Sequence, residues 1–145
     1  RIVIGKEKPK DFKKPFIYDQ LEIQAPINGL YTAMQHTKHD WIQLVSCDLP
    51  LIEADVFQIL WNTKTQESNA VIPLTNNQHQ VTCALYHRRI LNYLESAIDK
   101  NDLSLLSLIK NLKTTKVNFN SDKRFWNMNT KKNLVEISNY LANKL

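Results

Sequence analysis

Apolar residues recur along this chain in two rhythms. Ile27, Leu30, Tyr31 and Met34 fall at the i, i+3, i+4, i+7 spacing of one helical face. The run Trp-Ile-Gln-Leu-Val at 41–45 predicts instead a buried strand. Further strands are predicted at 2–4, ending on Gly5, and at 15–18, 70–74, 80–85 and 116–119. Further helices are predicted at 53–62, with Val56, Ile59 and Leu60 on one side, and at 88–98, with Leu91, Leu94 and Ile98. A short apolar helix at 104–112 follows the cap-like Asn101-Asp102. A last helix follows Thr130, its face lined by Leu134, Ile137 and Leu141. Asn76-Asn77 predicts a tight turn between two strands. Strands that alternate with helices imply an α/β fold, a Rossmann-like arrangement of three layers around a mostly parallel sheet with an antiparallel excursion. A chain of 145 residues implies one domain, spanning 1–145.

Composition narrows this picture. Hydrophobic residues make up 43% of the chain, enough for a packed core. No apolar run is long enough to cross a bilayer, so a membrane role is not expected. The net charge is +5, and five lysines gather in the stretch KEKPKDFKK at 6–14. A nucleic-acid binder would spread its basic residues along a face with aromatics interleaved, so no nucleic-acid partner is expected. The loop reads as solvated chain, with a lean toward anionic phosphates as the sharper alternative. Cys47 and Cys83 show no paired spacing and read as reduced thiols, which points to the cytoplasm. The two glycines, Gly5 and Gly29, build no glycine-rich phosphate loop within these residues.

The informative stretch is DWIQLVSCDLPLI at 40–52. In open α/β sheets, ligands sit beyond the carboxyl ends of the strands, and Asp48 lies just past such an end. A rigidly held carboxylate there suits magnesium, which takes one or two protein carboxylates and otherwise water and phosphate oxygens. The same residue could cap the next helix, but that helix is predicted to begin near Glu53, several residues on. Cys47 reads as a buried structural thiol. His36 and His39 stand at a metal-compatible spacing without a third ligand. Arg88 and Arg89, behind His87, could meet acceptor phosphates or simply face solvent. Trp126 reads as packing, with the wall of an acceptor pocket as the alternative.

The blocks APINGLYTAMQ, WIQLVSCDLPLI, CALYHRRILNYL and FWNMNTKKNL together resemble the molybdenum cofactor guanylyltransferases. These are nucleotidyltransferases that share the nucleotide-binding fold of the GT-A glycosyltransferases. The resemblance implies that Asp48 is the catalytic aspartate, binding Mg2+ and the nucleotide phosphates. It implies that Asp19 approaches the ribose and base, and that Pro26 and Gly29 belong to a Gly-Pro-Leu-x-Gly nucleotide block whose opening glycine is Ala25 here. Asn127 and Asn129 match the paired asparagines on the acceptor side, with Arg88 a further acceptor candidate. The implied reaction joins GMP from GTP to molybdopterin or the molybdenum cofactor. Molybdoenzymes or their chaperones are the expected downstream partners. Relatives also carry an opening strand and a glycine-rich loop with an arginine and a lysine, so the sequence reads as an N-terminally incomplete copy. The alternatives are a transferase using CTP or a sugar- or polyol-phosphate acceptor, and an inactive nucleotide-binding fragment.

Overall fold

A computed structural model describes residues 1–143. The chain runs β1 (Val3–Gly5), β2 (Phe16–Tyr18), α1 (Pro26–His36), β3 (Trp41–Val45), α2 (Ala54–Thr63), β4 (Ala70–Thr75), β5 (Gln78–His79) and β6 (Cys83–His87). A 3₁₀ turn (Arg88–Ile90), α3 (Leu91–Asp99), α4 (Leu105–Lys110), β7 (Thr114–Asn118), a second 3₁₀ turn (Lys123–Phe125) and α5 (Lys131–Ala142) follow. β1 and β2 pair in parallel as a separate two-stranded sheet. The main sheet has the order β3-β6-β4-β5, with β7 on the other edge of β4. β6 is antiparallel to both β3 and β4, and β7 is parallel to β4. β3, β4 and β7 therefore share one direction and β5 and β6 run against them, so the main sheet is mixed rather than mostly parallel, with β4–β7 its one parallel pair among the described residues.

Period-two alternation divides the core between the two faces of the sheet. Ala70 and Ile72 of β4, with Ala84 and Tyr86 of β6, meet Ile27, Leu30 and Met34 of α1, Leu94 of α3 and Leu105, Leu108 and Ile109 of α4. Val71, Cys83 and Leu85 face the other way, onto Val56, Phe57 and Leu60 of α2. Leu49 and Phe125, from two connecting loops, complete that second cluster. The result is the expected three-layer α/β architecture. The Tyr86 hydroxyl, buried inside it, donates to the Val81 carbonyl at 2.7 Å.

Several local expectations are corrected. The strand expected at 80–85 is instead Cys83–His87. The Gln80 N–H turns to the Pro73 carbonyl at 2.9 Å, and the Cys83 N–H closes on the Gln80 carbonyl at 3.0 Å. Those bonds use the backbone of 80–82 for a turn. The helix expected from Arg88 begins only at Leu91, because His87 Nδ1 accepts from the Arg89 N–H and holds a 3₁₀ turn first. The strand at 2–4 is not buried: Ile2 is 50% exposed, since β1 pairs with β2 alone among the described residues. β3 is half-buried, because it forms an edge of the main sheet. On the last helix only Ile137 is buried, while Leu134 and Leu141 remain exposed.

Pro73 lies inside a strand that is buried on both faces, where a missing N–H ordinarily breaks the ladder. The ladder from β4 to β6 ends at Val71, and that to β5 begins at Leu74. Pro73 falls in the gap where β4 changes neighbour. On the opposite edge, β7 pairs continuously from Ala70↔Thr114 to Leu74↔Asn118.

Candidate active site

Asp48 stands in the turn beyond the carboxyl end of β3, where sequence reasoning placed it. The Ser46 N–H extends the pairing by donating to the Thr82 carbonyl at 2.8 Å. Leu49, buried in the α2-side cluster, then fixes the chain just past the aspartate. Asp48 Oδ1 is buried and has no hydrogen-bond partner. A buried carboxylate oxygen without a donor is costly unless something positive meets it. That is the state in which a hard cation fits. Among the described residues no three His, Cys, Asp or Glu side chains gather as a metal cluster. Magnesium is compatible with one protein carboxylate, since it keeps water and phosphate oxygens around it.

The second arm of the site comes from the far end of the chain. The Met128 N–H donates to the Asp48 carbonyl at 2.8 Å. This bond sets Asn127 and Asn129, the residues flanking Met128, beside the aspartate. Both side chains are exposed and make no hydrogen bond among the described residues, so their amides are free to meet a ligand. Asn127 also lines a cleft of about 660 Å³ with Thr75, His79, Trp126, Asn133 and Ile137. Trp126 is thus in a pocket wall as well as packed against Tyr140, with ring centroids 5.9 Å apart.

The nucleotide-side candidates lie around α1. The Asp19 N–H continues the β1–β2 pair by donating to the Gly5 carbonyl at 3.1 Å, so Asp19 also sits at a strand's carboxyl end. From there Gln20 and Leu21 are strapped to α1. The Gln20 N–H donates to Thr32 Oγ1 at 3.0 Å, and the Leu21 N–H to Asn28 Oδ1 at 3.2 Å. Asn28 Nδ2 returns two bonds, to the Leu21 and Ile23 carbonyls. Pro26 is the first residue of the helix, and no side chain caps its N-terminus at Ala25. At Gly29 an added Cβ would meet nothing within 4 Å, so this turn of the helix presents open backbone. No hydrogen bond or ion pair among the described residues joins Asp19 to Asp48.

Two expectations need correcting here. Arg88 is not brought to the site. His87, its neighbour, pairs with Trp41 at the start of β3, whereas Val45 at the other end pairs with Cys83. Four residues of strand, roughly 13 Å, separate those levels, and Arg88 lies beyond the end opposite Asp48. Its N–H donates to the Asp40 carbonyl. Cys47 is exposed rather than buried, since alternate residues of an edge strand's extension face solvent. Cys83 is the structural thiol, pushed up to about 12 by burial. His36 Nδ1 lies 2.9 Å from the Thr32 carbonyl, an ordinary helical contact.

Two residues were missed from sequence. Asn28 is buried on α1 and organises the strap behind Asp19. A polar residue beside Ile27, on the turn that faces the core, was the available signal. Arg124 bonds Asp122 and Asp55, 69 positions away from it, and nothing local in the sequence announces that pairing.

An α/β layer sandwich with a carboxylate beyond a strand end and two free amides set against it belongs to the nucleotidyltransferase class of folds. Comparison with known proteins fixes the family. The chain belongs to the MobA-like NTP transferase domain family, whose model matches residues 1–116. It is 27% identical over 141 residues to the molybdenum cofactor guanylyltransferase of Vibrio parahaemolyticus, covering 94% of this chain and 72% of that protein. It is 32% identical over 135 residues to the probable molybdenum cofactor guanylyltransferase of Aquifex aeolicus, covering 91% of this chain and 65% of that one. A crystal structure of an Aquifex aeolicus protein superposes with a TM-score of 0.78 at 25% identity, over 90% of this chain and 71% of the other. Molybdopterin-guanine dinucleotide biosynthesis protein A from Archaeoglobus fulgidus superposes with a TM-score of 0.77 at 21% identity, over 92% and 71%, a likeness of fold.

Proposed function

We propose that this chain provides the catalytic cleft of a molybdenum cofactor guanylyltransferase, which joins GMP from GTP to molybdopterin or its molybdenum-bearing form. The observation that carries this reading is the Met128 N–H to Asp48 bond, which brings the acceptor-side asparagines to the aspartate. The names of the relatives supply the substrate class.

In this reaction a terminal phosphate oxygen of the pterin forms a bond to the α-phosphorus of GTP. The bond from that phosphorus to the β-phosphate bridging oxygen breaks, and pyrophosphate leaves with its electrons. The nucleophile is already anionic, so the protein needs no general base; its work is alignment and placement of charge. Magnesium, held by Asp48, would supply neutralisation of the phosphates. Asn127 and Asn129 donate hydrogen bonds to the acceptor without adding negative charge beside phosphates, which carboxylates could not do. Asp19, Pro26 and Gly29 would hold the nucleotide: Gly29 lets it approach the helix backbone closely, and Asp19 accepts from its hydroxyl groups.

The test is Asp48→Asn in the full chain. Magnesium-dependent transfer should fall by at least about a hundredfold. Thermal stability should hold or rise, because the substitution removes charge from an oxygen that has no partner. Retained activity would refute the metal assignment. Transfer with CTP, or onto a sugar or polyol phosphate, in place of GTP and molybdopterin would refute the substrate assignment.

A further inference from the structure

We propose that Arg124 is a positioning residue that clasps the arm carrying Asn127 and Asn129 to the arm carrying Asp48. The inference rests on the reaction proposed above and deepens it. The first arm is the β3–α2 connection, which holds Asp48 and ends in the first turn of α2 at Asp55. The second is the β7–α5 connection, which holds Asn127 and Asn129. Arg124 spans the two. Its Nε lies 3.1 and 2.9 Å from the two Asp122 oxygens, and its Nη2 2.6 Å from Asp122 Oδ2. Its Nη1 donates to Asp55 Oδ2. The guanidinium carbon stands 5.8 Å from the centre of the Phe119 ring.

Both carboxylates are themselves fixed. Asp122 Oδ1 accepts the Arg124 N–H at 2.9 Å and so caps the 3₁₀ turn. Asp55 Oδ1 accepts the Val56 N–H at 2.8 Å at the start of α2. The planar fork presents donors from separate nitrogens to the two acceptors in a fixed geometry, whereas a lysine offers all its donors from one nitrogen on a flexible stem. The arginine side chain is 24% exposed, against 71% and 84% for the lysines of the Lys113–Glu67 and Lys132–Glu136 pairs. It is therefore screened from water more than an ordinary surface pair. Between this clasp and the asparagines lie only Phe125, seated in the core, and Trp126. Releasing the Asp55 contact removes the side-chain tie between the two arms and leaves the Met128–Asp48 bond as the hydrogen bond across them, with Phe125, the Trp126–Tyr140 contact and the Thr130 cap holding residues 127–129 from their own side.

Arg124→Lys and Asp55→Asn test this in the full chain, with Asp55→Glu as the conservative variant. Steady-state kinetics should show the KM for molybdopterin raised or kcat lowered by about ten- to a hundredfold, as misplacement of about 1 Å produces. The KM for GTP should change less than that for molybdopterin, since Asp19, Pro26 and Gly29 lie outside the two clasped arms and Asp48 alone of the nucleotide contacts lies on one of them. Exchange of the Met128 amide hydrogen should quicken by about tenfold, and Asp55→Glu should restore much of both effects. A lowered Tm with both KM values, kcat and Met128 exchange unchanged would overturn the clasp. A wild-type chain that exchanges Met128 slowly yet transfers no GMP would refute the reaction; faster exchange in the variants would still support the clasp.

Discussion

At the scale of single residues, the polar groups that matter are those with an unusual partner or none. Asp48 is orphaned at one oxygen, and the chemistry assigned to it follows from that. His87 shows the opposite case. Its Nδ1 accepts from the Arg89 N–H at 3.0 Å, and its ring meets Trp41 edge to face at 4.9 Å. A proton on Nδ1 would break that bond. Burial first, and then the Arg89 charge, pull its pKa below the ordinary 6.5, with Asp40 opposing. The unfolded chain therefore binds this proton more readily than the folded one. The stabilisation is complete above pH 6.5 and is lost as pH falls through the depressed folded value. Tm measured from pH 7.5 to 5 should decline less steeply in His87→Gln than in the wild type; equal slopes would exclude His87 as the source. Asp48 was legible from sequence because a strand end and a proline bracket it. Arg124 was not, because its meaning depends on Asp55, which reaches it only through the tertiary fold.

At the scale of elements, apolar periodicity located the helices well but overstated how much each one buries. α1 was read correctly from Ile27, Leu30 and Met34, although its polar anchor Asn28 was not. α5 was read from Leu134, Ile137 and Leu141, yet only Ile137 is buried. Periodicity reports which residues share a face; it does not report whether anything packs against that face. α5 accordingly depends on its N-terminus. Thr130 Oγ1 accepts the Asn133 N–H at 3.1 Å, and Asn133 Oδ1 accepts the Thr130 N–H at 3.2 Å, a reciprocal cap. Thr130→Ala should cost about 1 kcal/mol. Amide exchange in α5 should quicken before any change in the sheet, and uniform acceleration across the chain would contradict this. The turn chemistry shows another departure. Asn76, Asn77, Asn101 and Asn120 all hold positive φ, so asparagine takes the place that glycine usually fills. The Asn76-Asn77 turn was readable from that habit; the register of the strand after it was not, because bonds within the 80–82 turn set it.

At the scale of the whole molecule, the sheet is a partition with a separate core on each side. Ile72 faces the α1, α3 and α4 layer, and its neighbour Val71 faces α2. Ile72→Ala should destabilise the protein by about 2–5 kcal/mol, read as a shift in denaturant midpoint at constant slope. A shift below about 1 kcal/mol would mean the layer collapses to fill the gap. The alternation of strands and helices made this layering legible. The strand order was hidden, because β4 takes β7 as a neighbour across a long stretch of intervening chain. That pairing also bears on how the protein is made. As the chain leaves the ribosome, β4 can pair with β6 early, but its other edge must wait for Thr114–Asn118 to be synthesised. At synthesis rates of about 5–20 residues per second, the forty-odd intervening residues keep that hydrophobic edge open for a few seconds. During that interval the open edge can pair with another chain, and the asparagine arm that completes the site is made only after the strand that closes it.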